Sequence, residues 1–145
     1  TRAESYRMLH RFDDAIRDAT AILGIYPQDS SALNIRAESY RMLNRFDDSI
    51  RDATAILEID PLNQWALNTR AESYRMLSRF DDAIRDATVA LGIDHKDTFA
   101  LNTRAISYLN LKRYEDAIHD VDTALFIEPA NIFASNLRTL IASIK

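Results

Sequence analysis

The residues most suited to acid–base chemistry are adjacent carboxylates that recur along the chain. These pairs are Asp13–Asp14, Asp47–Asp48 and Asp81–Asp82. Each pair stands at the start of a stretch with helical periodicity, and the macrodipole of a helix favours negative charge in its first turn. We therefore interpret the pairs as helix-start residues rather than as a catalytic acid and base.

Other residues that catalyse reactions or bind metals are scattered. His10, His95 and His119 occupy different repeat positions, so no two of them approach the spacing of metal ligands. The serines and threonines lack a partnering base, and the sequence has no glycine-rich loop for phosphate. The absence of cysteine excludes thiol chemistry and leaves the cellular compartment open. We expect no catalytic site, no metal site and no cofactor.

Charge and hydropathy argue against two classes of partner. The formal net charge is −4, whereas a nucleic-acid-binding domain usually carries a basic face. The longest apolar runs fall well short of the roughly 18 residues that span a membrane, and the N-terminus does not resemble a signal peptide. We therefore expect neither a nucleic acid nor a membrane as partner.

A period of 34 residues organises the sequence. Copies begin at Thr1, Ile35, Thr69 and Thr103, and the first two copies differ at nine of 34 positions. Each copy contains two stretches in which apolar residues recur every three or four positions, the spacing of a helix. In the third copy we place these helices at residues 65–77 and about 80–93. The short connection between them predicts an antiparallel helix pair in every copy.

Proline, alanine and aromatic residues predict how the helix pairs end and stack. Pro27, Pro61 and Pro129 follow the second helix, which proline cannot continue, and His95 predicts a weaker stop in the third copy. Small and aromatic residues keep the 34-residue step at Ala3, Ala37, Ala71 and Ala105, at Ala15, Ser49, Ala83 and Ala117, at Tyr6, Tyr40, Tyr74 and Tyr108, and at Phe12, Phe46, Phe80 and Tyr114. A single pair cannot bury its apolar face but stacked pairs can, so we predict an α-solenoid in one domain, residues 1–145.

The repeat resembles the tetratricopeptide repeat family. The matching positions in the third helix pair are Leu67, Arg70, Ala71, Tyr74, Ala83, Ala87, Ala90 and His95. Arg70 stands where the family often has leucine, and Ala87 where it often has an aromatic residue. The resemblance implies an all-α solenoid of antiparallel helix pairs that forms a right-handed superhelix. It places complete units at 30–63, 64–97 and 98–131, a partial unit at 1–29 and a terminal helix at 132–145.

The family's usual role is non-catalytic, because its first helices line a concave groove that binds peptides or partner proteins. The resemblance assigns to this groove Asn34, Asn68, Asn102 and Asn136, Trp65, Phe99 and Phe133, Glu38 and Glu72, and Arg41 and Arg75. The asparagines are suited to pair with a peptide backbone, or else bond locally near the helix starts. The aromatic residues either anchor a partner or pack on the preceding repeat. The Glu–Arg pairs contact a partner of mixed charge, or else belong to a solvated face.

One well-known binding mode of the family is not expected. Members that clamp the terminal carboxylate of chaperone tails use lysine, asparagine and basic residues at defined groove positions. Here these positions hold Asn34, Glu38, Thr69, Phe99 and Thr103. The resemblance therefore argues against a receptor for chaperone tails.

The C-terminal part of the groove is predicted to be apolar. The residues concerned are Ile106, Leu109, Leu137, Leu140, Ile141 and Ile144. An exposed apolar surface marks an interaction site. It is suited to an apolar partner segment, or to a second copy of the chain joined head to tail in an oligomer or filament. We therefore hold two hypotheses, a scaffold for a protein partner and a self-assembling structural protein.

Overall fold

The described secondary structure is entirely helical. The computed structural model describes residues 2–144, apart from the side chain of Tyr6, so that member of the aromatic series lies outside the description. The helices are α1 (Arg2–Ile25), α2 (Ser30–Met42), α3 (Phe46–Ile59), α4 (Gln64–Met76), α5 (Phe80–Ile93), α6 (Thr98–Asn110), α7 (Tyr114–Ile127) and α8 (Ile132–Ile144). From α2 onward, first helices of 13 residues alternate with second helices of 14 residues until α8.

Each first helix begins at a side-chain cap. Asp29, Asn63 and Asp97 accept hydrogen bonds from the backbone N–H groups of Ala32, Ala66 and Ala100 at 2.9–3.0 Å. Such caps satisfy donors that have no partner inside the helix. The carboxylates of Asp47, Asp48, Asp81 and Asp82 lie in the first turns of α3 and α5, as predicted.

Each first helix ends in the same tight turn. Asn44, Ser78 and Lys112 adopt positive φ angles of 61°, 60° and 62°. The arginine after each of these residues packs its guanidinium over a tyrosine of the preceding first helix. The guanidinium carbon of Arg79, for example, lies 4.5 Å from the centroid of the Tyr74 ring. A cation over an aromatic face is favourable, so this contact helps to hold the second helix antiparallel to the first.

The helix pairs stack in one direction and curve. Every helix packs on its neighbours in sequence, and α2, α4, α6 and α8 also contact one another in succession. Within the described chain the second helices do not contact one another. The stack is therefore narrower on the side of the first helices, which form its inner wall. This arrangement confirms the predicted α-solenoid.

The core is made mainly of alanine and leucine. Ala37, Ala71 and Ala105 on first helices, and Ser49, Ala83 and Ala117 on second helices, are fully buried. Small side chains allow the two helices of a pair to approach closely, and the larger Leu33, Leu67 and Leu101 fill the space between successive pairs. The predicted contact positions are thus confirmed from the second copy onward.

The first copy departs from the prediction of a helix pair. Residues 2–25 form one continuous helix, so Asp13 and Asp14 lie in mid-helix and the turn expected near His10 is absent. The turn requires a non-glycine residue at positive φ, and such strain persists only when packing offsets it. First helices α4 and α6 each pack between two second helices. Within the described residues α1 packs only on α2, and residues 2–9 continue the helix.

The expected weak stop at His95 is also wrong. Helix α5 ends at Ile93, at the same repeat position as α3 at Ile59 and α7 at Ile127. The stop does not need proline, because Asp94 accepts a hydrogen bond from the backbone N–H of Lys96 at 3.0 Å and its carbonyl accepts another from Asp97 at 3.1 Å. Aspartate bonds of this kind are typical of turns.

Candidate functional site

The inner wall contains a pocket shared by three successive first helices. Its volume is about 210 Å³. The lining residues are Glu38 and Arg41 from α2, Trp65, Asn68 and Thr69 from α4, and Phe99 from α6. Five of these six residues were assigned to the groove from the sequence. The repeat brings them together because equivalent positions of stacked helices lie side by side.

The aromatic residues of the wall are accessible. Trp65, Phe99 and Phe133 are 37%, 44% and 47% exposed. Trp65 and Phe99 also line a second, more open depression of about 540 Å³ that extends toward the loop before α6. Rings with one apolar face free are suited to anchor a partner side chain.

The asparagine ladder does not cap the helices. The caps come from the residues that precede each first helix, and Asn34, Asn68 and Asn102 lie one turn further along. The Oδ1 atoms of these three asparagines are buried without a hydrogen-bond partner. Asn136 on α8 is exposed. The local bonding considered from the sequence is therefore not the arrangement of the ladder.

One member of the ladder has a fixed side chain. The Nδ2 atom of Asn68 donates to Oδ2 of Asp97 at 2.7 Å, and Nε2 of Gln64 donates to the same oxygen at 2.7 Å. Asp97 thus caps α6 and orients a groove residue on α4. Sequence reasoning missed Asp97 and Gln64, although an aspartate or asparagine just before every first helix was a visible cap signal.

The Glu–Arg pairs form a half-buried network rather than a freely solvated face. Arg41 contacts Glu38 at 2.5 Å, and Arg75 forms the equivalent pair with Glu72. The side chain of Glu72 is 14% exposed, and it also accepts a hydrogen bond from Oγ1 of Thr103 at 3.2 Å. The hydrogen bond to Glu38 raises the pKa of Arg41 above its ordinary value; burial opposes this shift, and the charges of Glu38 and Glu72 add to it.

The wall becomes apolar toward α8, with one correction to the predicted surface. Ile106 and Leu109 replace the Glu–Arg pair on α6 and are half-buried, while Leu140 and Ile144 are 50% and 49% exposed. Leu137 and Ile141 were predicted to contact a partner, but they are 8% and 0% exposed in the core between α6, α7 and α8. Residues four apart share a helix face, and this pair lies on the face turned toward the repeat.

The described residues contain no cluster of three or more histidine or acidic side chains placed to hold a metal ion. His10 lies on α1, His95 in the loop after α5 and His119 on α7. Among helices in residues 2–144, none combines the length and apolar character needed to cross a membrane.

Comparison with known proteins places this architecture among solved structures. A model described as tetratricopeptide repeat matches residues 1–64. No curated protein matches the sequence. The TPR domain of Arabidopsis OM64 is 24% identical, with a TM-score of 0.76 over 79% of this chain and 94% of that one. The first TPR of Spaghetti (RPAP3) bound to the HSP90 peptide SRMEEVD is 26% identical, with a TM-score of 0.77 over 81% and 93%.

A longer superposition covers almost the whole chain. The crystal structure of MamA is 19% identical, with a TM-score of 0.88 over 96% of this chain and 81% of that one. The fold and its inner wall define an α-solenoid of stacked helix pairs. The family match over residues 1–64 and the TPR domains among the structural neighbours support the tetratricopeptide repeat family.

Proposed function

We propose that the chain is a protein-interaction scaffold that binds a peptide or a partner segment along its inner wall, without catalysis. The observation that carries the proposal is the pocket formed by Trp65, Asn68 and Phe99, in which accessible rings flank a carboxamide that Asp97 holds in place. Oriented polar groups between apolar surfaces are typical of ligand sites. The residues 30–63, 64–97 and 98–131 act as complete units, between the partial unit 1–29 and the terminal helix 132–145.

Several structural neighbours support a peptide ligand. Besides the Spaghetti domain with its HSP90 peptide, the second TPR domain of human RPAP3 is in complex with the HSP70 peptide SGPTIEEVD. This chain has Asn34, Phe99 and Thr103 at the positions where the clamp carries basic residues, and Glu38 where it carries asparagine. The partner that fits this wall is therefore not an acidic C-terminal tail.

The charge pattern of the wall indicates a partner segment with two different halves. The half-buried pairs Glu38–Arg41 and Glu72–Arg75 line one part, and they are complementary to a segment that carries both signs of charge. Ile106, Leu109 and Leu140 line the other part and are complementary to apolar side chains. We expect such a segment to bind with its charged half toward α2 and α4 and its apolar half toward α6 and α8.

Peptides displayed in a library and selected on the purified chain supply the probes for a test. Trp65 is the only tryptophan and lies in the pocket, so its fluorescence reports occupancy directly. Asn102→Ala removes an amide whose Oδ1 has no hydrogen-bond partner among the described residues. This change is expected to weaken binding about three- to tenfold, the worth of one net hydrogen bond. Trp65→Ala, followed by calorimetry, is expected to cost about thirtyfold or more, as for a central anchor.

Two controls make the test decisive. Glu58→Ala on the outer surface of α3 leaves affinity unchanged if the inner wall is the site. The peptide SRMEEVD is expected to leave Trp65 fluorescence unchanged. Equal affinity of the Asn102→Ala, Trp65→Ala and Glu58→Ala variants for every selected peptide would contradict the proposal.

The head-to-tail alternative uses the exposed apolar residues of α8. Leu140 and Ile144 are half exposed and are suited to contact a second copy. Leu140→Asp with Ile144→Asp is expected to abolish such self-association, as measured by light scattering across a concentration series. Loss of peptide binding in this variant without any change in mass would favour the scaffold function alone.

A further inference from the structure

The continuous α1 separates two residues that are paired in every other copy. Arg2 and Asp18 correspond to Arg36–Asp52, Arg70–Asp86 and Arg104–Asp120, in which the guanidinium and carboxylate are 2.7 Å apart. In a straight helix, 16 residues place Arg2 about 24 Å from Asp18 along the axis. Asp18 is exposed, whereas Asp52, Asp86 and Asp120 are 3%, 1% and 1% exposed. Within the described chain Asp18 has no ion pair.

The same helix leaves an apolar surface uncovered. Ala15 is only partly buried, although its equivalents Ser49, Ala83 and Ala117 are fully buried by the first helix of their own pair. A cavity of about 370 Å³ lies beside it, lined by Met8, Arg11, Phe12, Ala15 and Ser39. Residues 12–25 therefore expose the surface that a first helix covers in the other pairs. We call this surface the acceptor face.

The three complete pairs show what covers such a face. Residues 36–43 cover α3, and their counterparts in the first copy are residues 2–9, including Arg2, Ala3 and Leu9. In α1 residues 2–5 and 7–9 are all exposed. Met8 and Leu9 are 51% and 49% exposed.

We propose that residues 2–9 of a second copy occupy this face, so that two chains exchange their N-terminal segments in a closed dimer. The two α1 helices lie antiparallel, with a two-fold axis near residue 10. Arg2 of each chain then pairs with Asp18 of the other, and Ala3 packs on Ala15. A two-fold interface repeats each contact in both directions, so the dimer restores two ion pairs and two buried surfaces at once.

The exchange also avoids the strain of folding back. In the complete pairs Asn44, Ser78 and Lys112 adopt positive φ at the turn, which non-glycine residues rarely do. His10 occupies this position in α1 and remains helical, with Nε2 3.6 Å from Oδ2 of Asp14 one turn later. The dimer buries residues 2–9 without requiring His10 to adopt the left-handed conformation.

Cysteine cross-linking tests the exchange directly, because the chain has no cysteine of its own. In the second copy, Oγ of Ser49 is 2.8 Å from the carbonyl oxygen of Ala37, so the equivalent positions 15 and 3 are adjacent in the exchanged dimer. Ala3→Cys and Ala15→Cys proteins, mixed and oxidised, are expected to give a covalent heterodimer. Each variant alone, and Ala3→Cys mixed with Glu58→Cys, are expected to remain uncross-linked.

Light scattering and charge reversal complete the test. The wild-type chain is expected to reach the mass of a dimer and no higher. Arg2→Asp or Asp18→Arg alone is expected to weaken the dimer at least about tenfold, because each variant places like charges opposite each other across the interface. A mixture of these two variants restores complementary pairs and the dimer.

A monomer at all concentrations, an intrachain disulfide in the Ala3→Cys/Ala15→Cys double variant, or a dimer that does not cross-link would each overturn the proposal.

Discussion

Arg70 on α4 and Asp86 on α5 form a two-point ion pair inside the third helix pair. Nε and Nη2 of Arg70 donate to Oδ2 and Oδ1 of Asp86 at 2.7 and 2.9 Å, and Nη1 donates to Oγ1 of Thr54 on the preceding second helix at 3.2 Å. The hydrogen bond to Asp86 raises the pKa of Arg70, against the opposing effect of burial. This arginine therefore replaces the leucine common in the family with a clasp between two successive second helices.

Removal of the buried carboxylate is expected to destabilise the chain strongly. Asp86→Ala leaves Arg70 without its partner in a largely buried position, which typically costs about 3 kcal/mol or more. Asp116→Ala serves as the control, because its pair with Arg113 is about half exposed and such pairs are worth less than about 1 kcal/mol. Urea unfolding followed by helical circular dichroism measures both. Equal losses in the two variants would contradict a structural role for the clasp.

The two roles of Asp97 predict an unequal effect of cap removal. Asn63→Ala removes one cap bond and is expected to cost about 1 kcal/mol. Asp97→Ala removes the equivalent bond and also the acceptor of Gln64 and Asn68, so we expect a loss of roughly 2 kcal/mol. Thermal and urea unfolding of the two variants, with Asp97→Asn as a variant that retains the cap oxygen, check the difference. If both alanine variants unfold alike, the bonds to α4 add nothing to stability.

The left-handed turns predict a stabilising substitution. Lys112 has φ 62°, and glycine adopts this conformation without steric cost. Lys112→Gly is expected to raise the free energy of unfolding by up to about 1 kcal/mol, partly offset by the greater freedom of glycine in the unfolded chain. Asn44→Gly is the matched control, since asparagine tolerates the conformation, and it is expected to change little. A loss of stability in Lys112→Gly equal to that in Asn44→Gly would show that the turn is not strained.

Asp82 is expected to contribute to the free energy of unfolding in a way that depends on pH. Burial tends to raise the pKa of this carboxyl, but hydrogen bonds from Arg85 and Arg79 outweigh it and hold the pKa below its ordinary value. A depressed pKa means that Asp82 stabilises the fold above the pKa it has in the unfolded chain, near 4. This contribution is lost as pH falls through the lower folded-state pKa. Wild type and Asp82→Asn are therefore expected to differ in urea midpoint at neutral pH and to converge in strong acid; a constant difference would refute the assignment.

Local patterns predicted the helices where repeats are complete. The second helix expected at about 80–93 is α5, Phe80–Ile93, because its apolar spacing and its acidic first turn indicate the same boundaries. The faces of α8 were less predictable. Leu137 and Leu140 are equally apolar, and only packing against α7 distinguishes the buried residue from the exposed one.

Contacts between distant residues were missed for a different reason. Arg70 was visible as a departure from the family pattern, but its partner Asp86 lies 16 residues away on another helix. A periodic pattern places residues on a face and does not by itself pair them. The straight α1 was missed because the first copy carries nearly the same residues as its neighbours.

The hydrogen bonds that Arg36, Arg70 and Arg104 make to the preceding second helix are equivalent, which favours evolution by the gain or loss of whole repeats. Arg36 bonds Thr20 as Arg70 bonds Thr54 and Arg104 bonds Thr88, so each junction between modules uses interchangeable parts. Unequal recombination that inserts or deletes 34 codons joins surfaces that already fit. The number of repeats in such a protein can therefore increase or decrease by whole units. Selection then acts separately on the residues that face a partner.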